Sequence, residues 1–257
     1  MRGTYKGQDV AVKTLKEDVM QEQEKIEFER EVMIMRSLRH PNIVQFIGAS
    51  NIMKRVAIVT ELAPLGSLAS VLVNEFVSYP LKLDILAEIA KAIQFLHAND
   101  VIHRDIKPGN VLVFSLEPKA TTHVKVSDFG TSKFVAEQAS PMTKHMGTVN
   151  YNAPETVGKN PLYTFSADIF SFAILAWEVV TNEPAFSVAI NADFAFEYKI
   201  EEFITAGKRL EIPREVDHRL AALITDCWAH DPKKRPTIDD VVQRLSALAQ
   251  ETRVNSS

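Results

Sequence analysis

The chain has 257 residues, 46% of them hydrophobic, which suffices for a large core as one big domain or two lobes. Its formal net charge of -4 gives no electrostatic case for binding nucleic acid or a membrane surface. A lone cysteine, Cys227, excludes an intrachain disulfide and a cysteine-built metal site and fits a reducing, cytoplasmic setting, and no apolar run reaches membrane-spanning length or reads as a signal peptide.

From its start, Met1 to Lys13 predicts a short strand, a turn at Gly7-Gln8-Asp9 and a second strand, because Asp, Gly and Gln bound a Val-rich run. Residues 19–38 predict a helix with Ile26, Val32, Met33, Met35 and Leu38 near one face and Glu and Lys on the other. His40-Pro41-Asn42 ends it, since proline disfavours helical geometry in the residue before it. Ile43 to Ile47 and Val56 to Glu61 predict two further strands. Ala63-Pro64-Leu65-Gly66-Ser67 is a break, followed by a short helix.

Beyond that break the pattern is mainly helical. Leu83, Leu86, Ile89, Ala90, Ile93 and Leu96 mark a helix that packs one face. Residues 165–181 and 216–229 predict largely apolar, buried helices. Residues 237–250 predict an amphipathic helix with Pro236 suited to its start, and Glu251 to Ser257 a frayed polar tail.

The densest chemistry lies in His103-Arg104-Asp105-Ile106-Lys107-Pro108-Gly109-Asn110, a polar loop between the apolar segment of Ile93, Phe95 and Leu96 and the apolar run Val111-Leu112-Val113. Asp105 can accept a proton from a hydroxyl, Lys107 can neutralise a transferring phosphate, and Asn110 can hold a magnesium ion, which suggests phosphoryl transfer. The bland alternative is a solvated turn that happens to hold charges. At the end of an apolar strand, Lys13 shares a face with Ala11, a small residue that leaves room for a flat base while the ammonium reaches phosphates. Taken alone, Lys13 reads more readily as an exposed strand lysine. Asp128-Phe129-Gly130 follows the strand-like Val124-Lys125-Val126. Its aspartate can coordinate magnesium and its glycine permits a backbone turn.

In their order along the chain these segments, with Ala153-Pro154-Glu155, resemble the catalytic domain of eukaryotic protein kinases from Met1 to about Ala249. Cys227-Trp228, Asp231-Pro232 and Arg235-Pro236 resemble the tyrosine-kinase and tyrosine-kinase-like groups, whereas Lys107-Pro108 and Thr148 are similar to the serine/threonine form. Together they resemble a tyrosine-kinase-like serine/threonine kinase, near the Raf and mixed-lineage kinases. The resemblance implies a two-lobed α+β fold spanning residues 1–257. It comprises an antiparallel-sheet lobe with one helix over 1–63, a larger helical lobe over 64–250, and a tail over 251–257.

It also implies a set of roles. Glu31 would pair with Lys13. ATP would sit between the lobes, its adenine against Ala11, the connector backbone at Glu61 and Ala63, the gatekeeper Thr60, and Leu112 beneath the ring. Mg2+ would be held by Asp128 and Asn110, and Asp105 with Lys107 would act on a serine or threonine hydroxyl of a protein substrate. His103 would pack on Phe129, Asp168 would anchor the catalytic-loop backbone, and Arg235 would pair with Glu155. Thr143 and then Ser140 are the expected phosphorylation positions of the activation segment, where Arg104 would meet the phosphate, and Thr148 is expected to contact Asp105 and Lys107.

One departure stands out: the Gly-x-Gly-x-x-Gly-x-Val loop of the family is absent, and aligned on Lys13 it would end just before Met1. The expectation is a truncated domain whose extension restores the loop, with a degenerate, pseudokinase-like interaction module as the alternative.

Overall fold

The computed structural model of the protein describes residues 1–15, 22–52, 55–137, 148–158 and 161–255. Its first part is a four-stranded antiparallel sheet in the order β1-β2-β4-β3, formed by β1 (Arg2–Tyr5), β2 (Gln8–Leu15), β3 (Phe46–Ile52) and β4 (Arg55–Glu61). The first turn is built by Lys6 and Gly7, both with positive φ (50° and 81°), and β2 already begins at Gln8. Two consecutive left-handed residues suit the right-handed twist of a two-residue hairpin, so the turn sits one step earlier than Gly7-Gln8-Asp9 suggests.

Helix α1 (Glu22–Ser37) lies between β2 and β3 in the chain. Its buried face is Phe28, Glu31, Ile34, Met35 and Leu38 just beyond its end, whereas Ile26 and Met33 are about half exposed. The expected face is therefore rotated. Positions 28, 31, 35 and 38 repeat at three and four residues and form one stripe, and Ile26 and Met33, seven apart, lie on another. A charged Glu31 sits in the buried stripe, which hydrophobicity alone does not select.

The expected strand from Ile43 is also displaced. Residues 42–44 instead strap onto the second part of the molecule: Val44 N donates to Val126 O and Val126 N to Asn42 O, each at 2.9 Å. β3 starts only at Phe46, and its pairing with β4 shifts register between Phe46 and Gly48.

The connector after β4 carries Gly66 (φ 75°), and Ser67 caps α2 (Leu68–Asn74) by accepting from Ser70 N. Helix α3 (Tyr79–Ala98) and helix α4 (Phe165–Thr181) form the centre of the second part. Leu83, Leu86, Ile89, Ala90, Ile93 and Leu96 are all buried, as their spacing predicts, and α4 is buried along most of its length. Around them lie α5 (Glu197–Thr205), α6 (His218–Cys227) and α7 (Ile238–Asn255).

Helix α7 continues through the stretch expected to be a frayed tail. Thr252 Oγ1 donates to Leu248 O at 2.8 Å, Glu251 pairs with Arg219, and Arg253 pairs with Asp84, so polar residues there dock the helix end without apolar burial. Short pairs complete the second part: β5 (Val101–Ile102) with β8 (Lys133–Phe134), and β6 (Val111–Val113) with β7 (Val124–Val126). The result is the two-part α+β architecture that the sequence suggests. Among the described residues no helix is long and apolar enough to cross a membrane.

Candidate active site

β2 alternates, with Val10 inside and Lys13 on the opposite face, and brings the Lys13 ammonium to Glu31 Oε1 at 2.8 Å and Asp128 Oδ1 at 2.7 Å. Burial opposes the charge on Lys13, but Glu31 and Asp128 outweigh it and its pKa lies above the usual lysine value. Burial likewise raises Asp128, yet Lys13 overcomes it and holds that carboxylate below its usual range, whereas burial dominates at Glu31 and pushes it up. Of the three groups, Asp128 is the best-defined anion.

Asp128 adopts a left-handed backbone (φ 61°), and so does Arg104 (φ 70°), a conformation that costs a non-glycine residue about 1–3 kcal/mol and needs surrounding contacts to hold it. Gly130 is not the strained residue of its triplet. A Cβ there would stand 3.4 Å from both Asp128 Oδ1 and Glu31 Oε2, and 3.6 Å from Lys13 Nζ, in contact with the charged cluster but without a clash.

The loop from His103 to Asn110 is clamped from below by Asp168, which projects from α4 and is fully buried. Its Oδ2 accepts from His103 N at 3.0 Å and its Oδ1 from Arg104 N at 2.9 Å, while His97 Nε2 meets Oδ2 at 2.9 Å. Burial opposes the charge, but these bonds and the nearby imidazoles hold the Asp168 pKa below the usual carboxylate range. The His103 ring stands edge-on to Phe129 at 5.2 Å, and Thr131 and Ser132 hydroxyls both donate to His103 O. The Arg104 guanidinium lies over the Tyr163 ring at 4.9 Å.

At the open end of this clamp, Asn110 Nδ2 donates to Asp105 O at 2.8 Å and to Asp105 Oδ2 at 2.7 Å. Lys107 Nζ lies 2.7 Å from Asp105 Oδ2 and 2.6 Å from Thr148 Oγ1, and Thr148 donates to Asp105 Oδ1 from both its backbone N and its hydroxyl. With its Nδ2 committed to Asp105 and its backbone carbonyl to Ser127, Asn110 keeps its side-chain Oδ1 as the available acceptor. That oxygen and the Asp128 carboxylate are hard donors of the kind magnesium takes, so the residues fit the ion. Among the described residues no group of three or more His, Cys, Asp or Glu is placed to hold a metal, so the remaining ligands would be phosphate and water oxygens.

The expected nucleotide-contacting residues lie along one continuous path. Ala11 is paired with Thr60 across β2 and β4, Glu61 ends β4, Ala63 follows it in the connector, and Leu112 of β6 bridges Ser67. Glu61 N is bonded to Gln45 O and its carboxylate takes Lys125 Nζ at 2.8 and 2.9 Å, so its side chain braces β7, while its backbone carbonyl accepts from the Thr60 hydroxyl at 3.2 Å. The Glu155–Arg235 pair forms with distances of 2.6 and 2.8 Å. Ser140 and Thr143 lie outside the described residues.

Sequence reasoning missed His97, the Lys125–Glu61 pair and Glu178. Glu178 is buried in α4, accepts from the Tyr151 hydroxyl at 2.7 Å and from Ala185 N at 2.9 Å, and so anchors the segment that carries Thr148. The signal for it was available: like Asp168, it is a carboxylate in an otherwise apolar helix.

Comparison with known proteins adds a second line. Residues 1–245 match the family described as protein tyrosine and serine/threonine kinase. Serine/threonine-protein kinase STY17 of Arabidopsis thaliana is 36% identical over 252 residues, 97% of this chain and 42% of that protein. The probable serine/threonine-protein kinase drkC of Dictyostelium discoideum is 37% identical over 265 residues, 96% of this chain and 32% of that protein. Dual specificity protein kinase shkB of the same organism is 32% identical over 246 residues, 93% of this chain and 36% of that protein. The chain thus spans less than half the length of these relatives.

Proposed function

The chain belongs to the protein tyrosine and serine/threonine kinase family, and on that premise we propose that it transfers the γ-phosphate of ATP to serine and threonine hydroxyls of protein substrates. The observation that carries the reading is the set of bonds that hold Asp105. Asn110, Lys107 and Thr148 surround its carboxylate and fix it where a hydroxyl can approach.

Each step has a residue suited to it. ATP is held between residues 1–63 and 64–250, with adenine at the Glu61 carbonyl and Ala63 amide and the ring between Ala11 and Leu112. Lys13, kept charged by Glu31 and Asp128, turns its ammonium to the phosphates. Asp128 and Asn110 would hold magnesium, which would supply positive charge to offset that of the phosphates. Asp105 orients the substrate hydroxyl and takes its proton, and Lys107 offsets negative charge on the phosphoryl group in transfer. The Lys107–Thr148 contact at 2.6 Å supports the serine/threonine preference, since it closes the space beside Asp105. Thr143 and Ser140 are the positions we assign to activating phosphorylation.

The test is phosphotransfer to a peptide library with phosphoamino-acid analysis, alongside the Asp105→Asn variant. We expect label on Ser and Thr, and a loss of about 10²–10⁴-fold in Asp105→Asn with nucleotide binding retained. Label mainly on Tyr overturns the hydroxyl assignment. A variant within tenfold of the parent overturns the role of Asp105.

A further inference from the structure

On the side of the catalytic loop away from Asp105 lies a cleft of about 420 Å³ with no part in the proposed reaction. Its walls come from the end of α3 (Gln94, His97, Ala98), the start of α4 (Phe165, Ile169) and the start of α7 (Ile238, Asp239). That volume falls in the range of small-molecule sites, which combine apolar walls with a few fixed polar groups.

The fixed polar group is His97. It is buried to 8% exposure, and its ring stacks on Phe165 with centroids 4.4 Å apart. Nε2 meets the Asp168 carboxylate at 2.9 Å. A carboxylate accepts only, so Nε2 carries the proton, and in that tautomer of the neutral imidazole Nδ1 is the lone-pair acceptor. Nδ1 makes no hydrogen bond among the described residues. Across the mouth, Gln94 Nε2 donates to Asp239 Oδ1 at 2.6 Å, which adds a carboxylate to the rim. A flat aromatic body against Phe165, Ile169 and Ile238, carrying one N–H or O–H donor, satisfies both the walls and the imidazole.

The same histidine is one bond from the catalytic loop. Asp168 Oδ2 is shared between His97 Nε2 and His103 N, and Oδ1 holds Arg104 N, immediately before Asp105. We infer that this cleft is a regulatory binding site for a small aromatic hydrogen-bond donor, and that its occupancy is transmitted through His97 and Asp168 to the backbone of the catalytic loop. A donor at Nδ1 polarises the ring, strengthens its bond to the carboxylate and redistributes the hydrogen bonding on the two loop amides.

The probe is indole, compared with benzofuran, which has the same shape without the N–H. Binding is read on the full chain by ¹⁵N–¹H spectra, without ATP, so failure of the phosphotransfer reading leaves the result intact. We expect indole to bind with Kd on the order of 0.1–1 mM for so small a ligand. Benzofuran should bind about 3- to 10-fold more weakly. The His97 ring nitrogens and the amides of His103 and Arg104 should shift with one common Kd. Filling the cleft by Ala98→Phe, at a surface-facing position, should weaken indole at least about tenfold, in line with losing most of so small a ligand's contacts. Equal affinity for the two probes overturns recognition by His97. Binding without movement of the His103 and Arg104 amides overturns the coupling. No binding, or unchanged binding to folded Ala98→Phe, overturns the site, and the two-probe comparison stands if that variant does not fold.

Discussion

Lys13 is a bridge between two carboxylates, and that sets what its loss does. In Lys13→Met, Glu31 and Asp128 face each other without the cation between them, so catalysis should fall by about 100-fold or more, the scale of losing one preorganised charge in a phosphate site. Lys13 is 45% exposed at its side chain, so stability should change little. Phosphotransfer rates and melting curves on the same preparations check both halves, and near-parental turnover would reject the role. A second residue-scale effect is a pH dependence. His123 Nδ1 lies 2.8 Å from Glu88 Oε1 and its Nε2 lies 3.2 Å from Glu117 O, so both ring nitrogens face acceptors. The bond to Glu88 raises its pKa above the histidine norm, against the effect of burial, with Glu117 O and Asp84 adding to the rise. The stability it contributes is therefore fully present below about pH 6.5 and lost as pH rises through the folded-state value. Urea denaturation at several pH values should show the parent losing stability toward alkaline pH relative to His123→Gln. Parallel profiles would refute it.

At the scale of elements, the sequence was most legible where one physical signal dominated. The all-buried spacing of α3 and the apolar run of α4 are hydrophobic periodicity alone, and both were read with correct centres. The α1 face was misread because a charged residue, Glu31, occupies the buried stripe and a methionine the exposed one. Adjacent residues separate the two readings: Ile34 is 0% exposed and Met33 is 51% exposed. Ile34→Ala should cost about 2–5 kcal/mol, whereas Met33→Ala should stay within about 0.5 kcal/mol, measured by chemical denaturation. Comparable losses would put the buried face back where periodicity suggested. The end of α7 was misread for the opposite reason, since its docking rests on ion pairs to Arg219 and Asp84, distant in sequence and invisible to a local pattern. In the site, motif order singled out Asp105, Asn110 and Asp128 as candidates, but no local signal joins His97 to Asp168 across 71 positions.

Across the whole molecule, distant segments are gathered at single buried charges. Arg235, with its side chain wholly buried, donates to Glu155 through two nitrogens and to the carbonyls of Ser166, Ala229 and His230. Lysine keeps the charge but cannot reproduce that planar fork, so Arg235→Lys should destabilise by about 1–3 kcal/mol, the cost of leaving buried acceptors without their donors. A loss under about 1 kcal/mol in urea would show that the pair is dispensable, as surface ion pairs are.

The attachment between the sheet-bearing part and the helical part has a mechanical consequence. The sheet side is tied to the β6–β7 hairpin at both strands: directly by residues 42–44 to Val126 of β7, and through the connector after β4, whose Leu65 and Gly66 bond Val113 of β6. A rigid body pinned at two points keeps one easy freedom, rotation about the line that joins them. Sliding would break both pins, whereas swinging strains neither and loads instead the Glu61–Lys125 and Lys13–Asp128 ion pairs. Tipping about that line would swing Lys13 toward or away from Asp128, while Asp168 of α4 keeps hold of the loop just before Asp105.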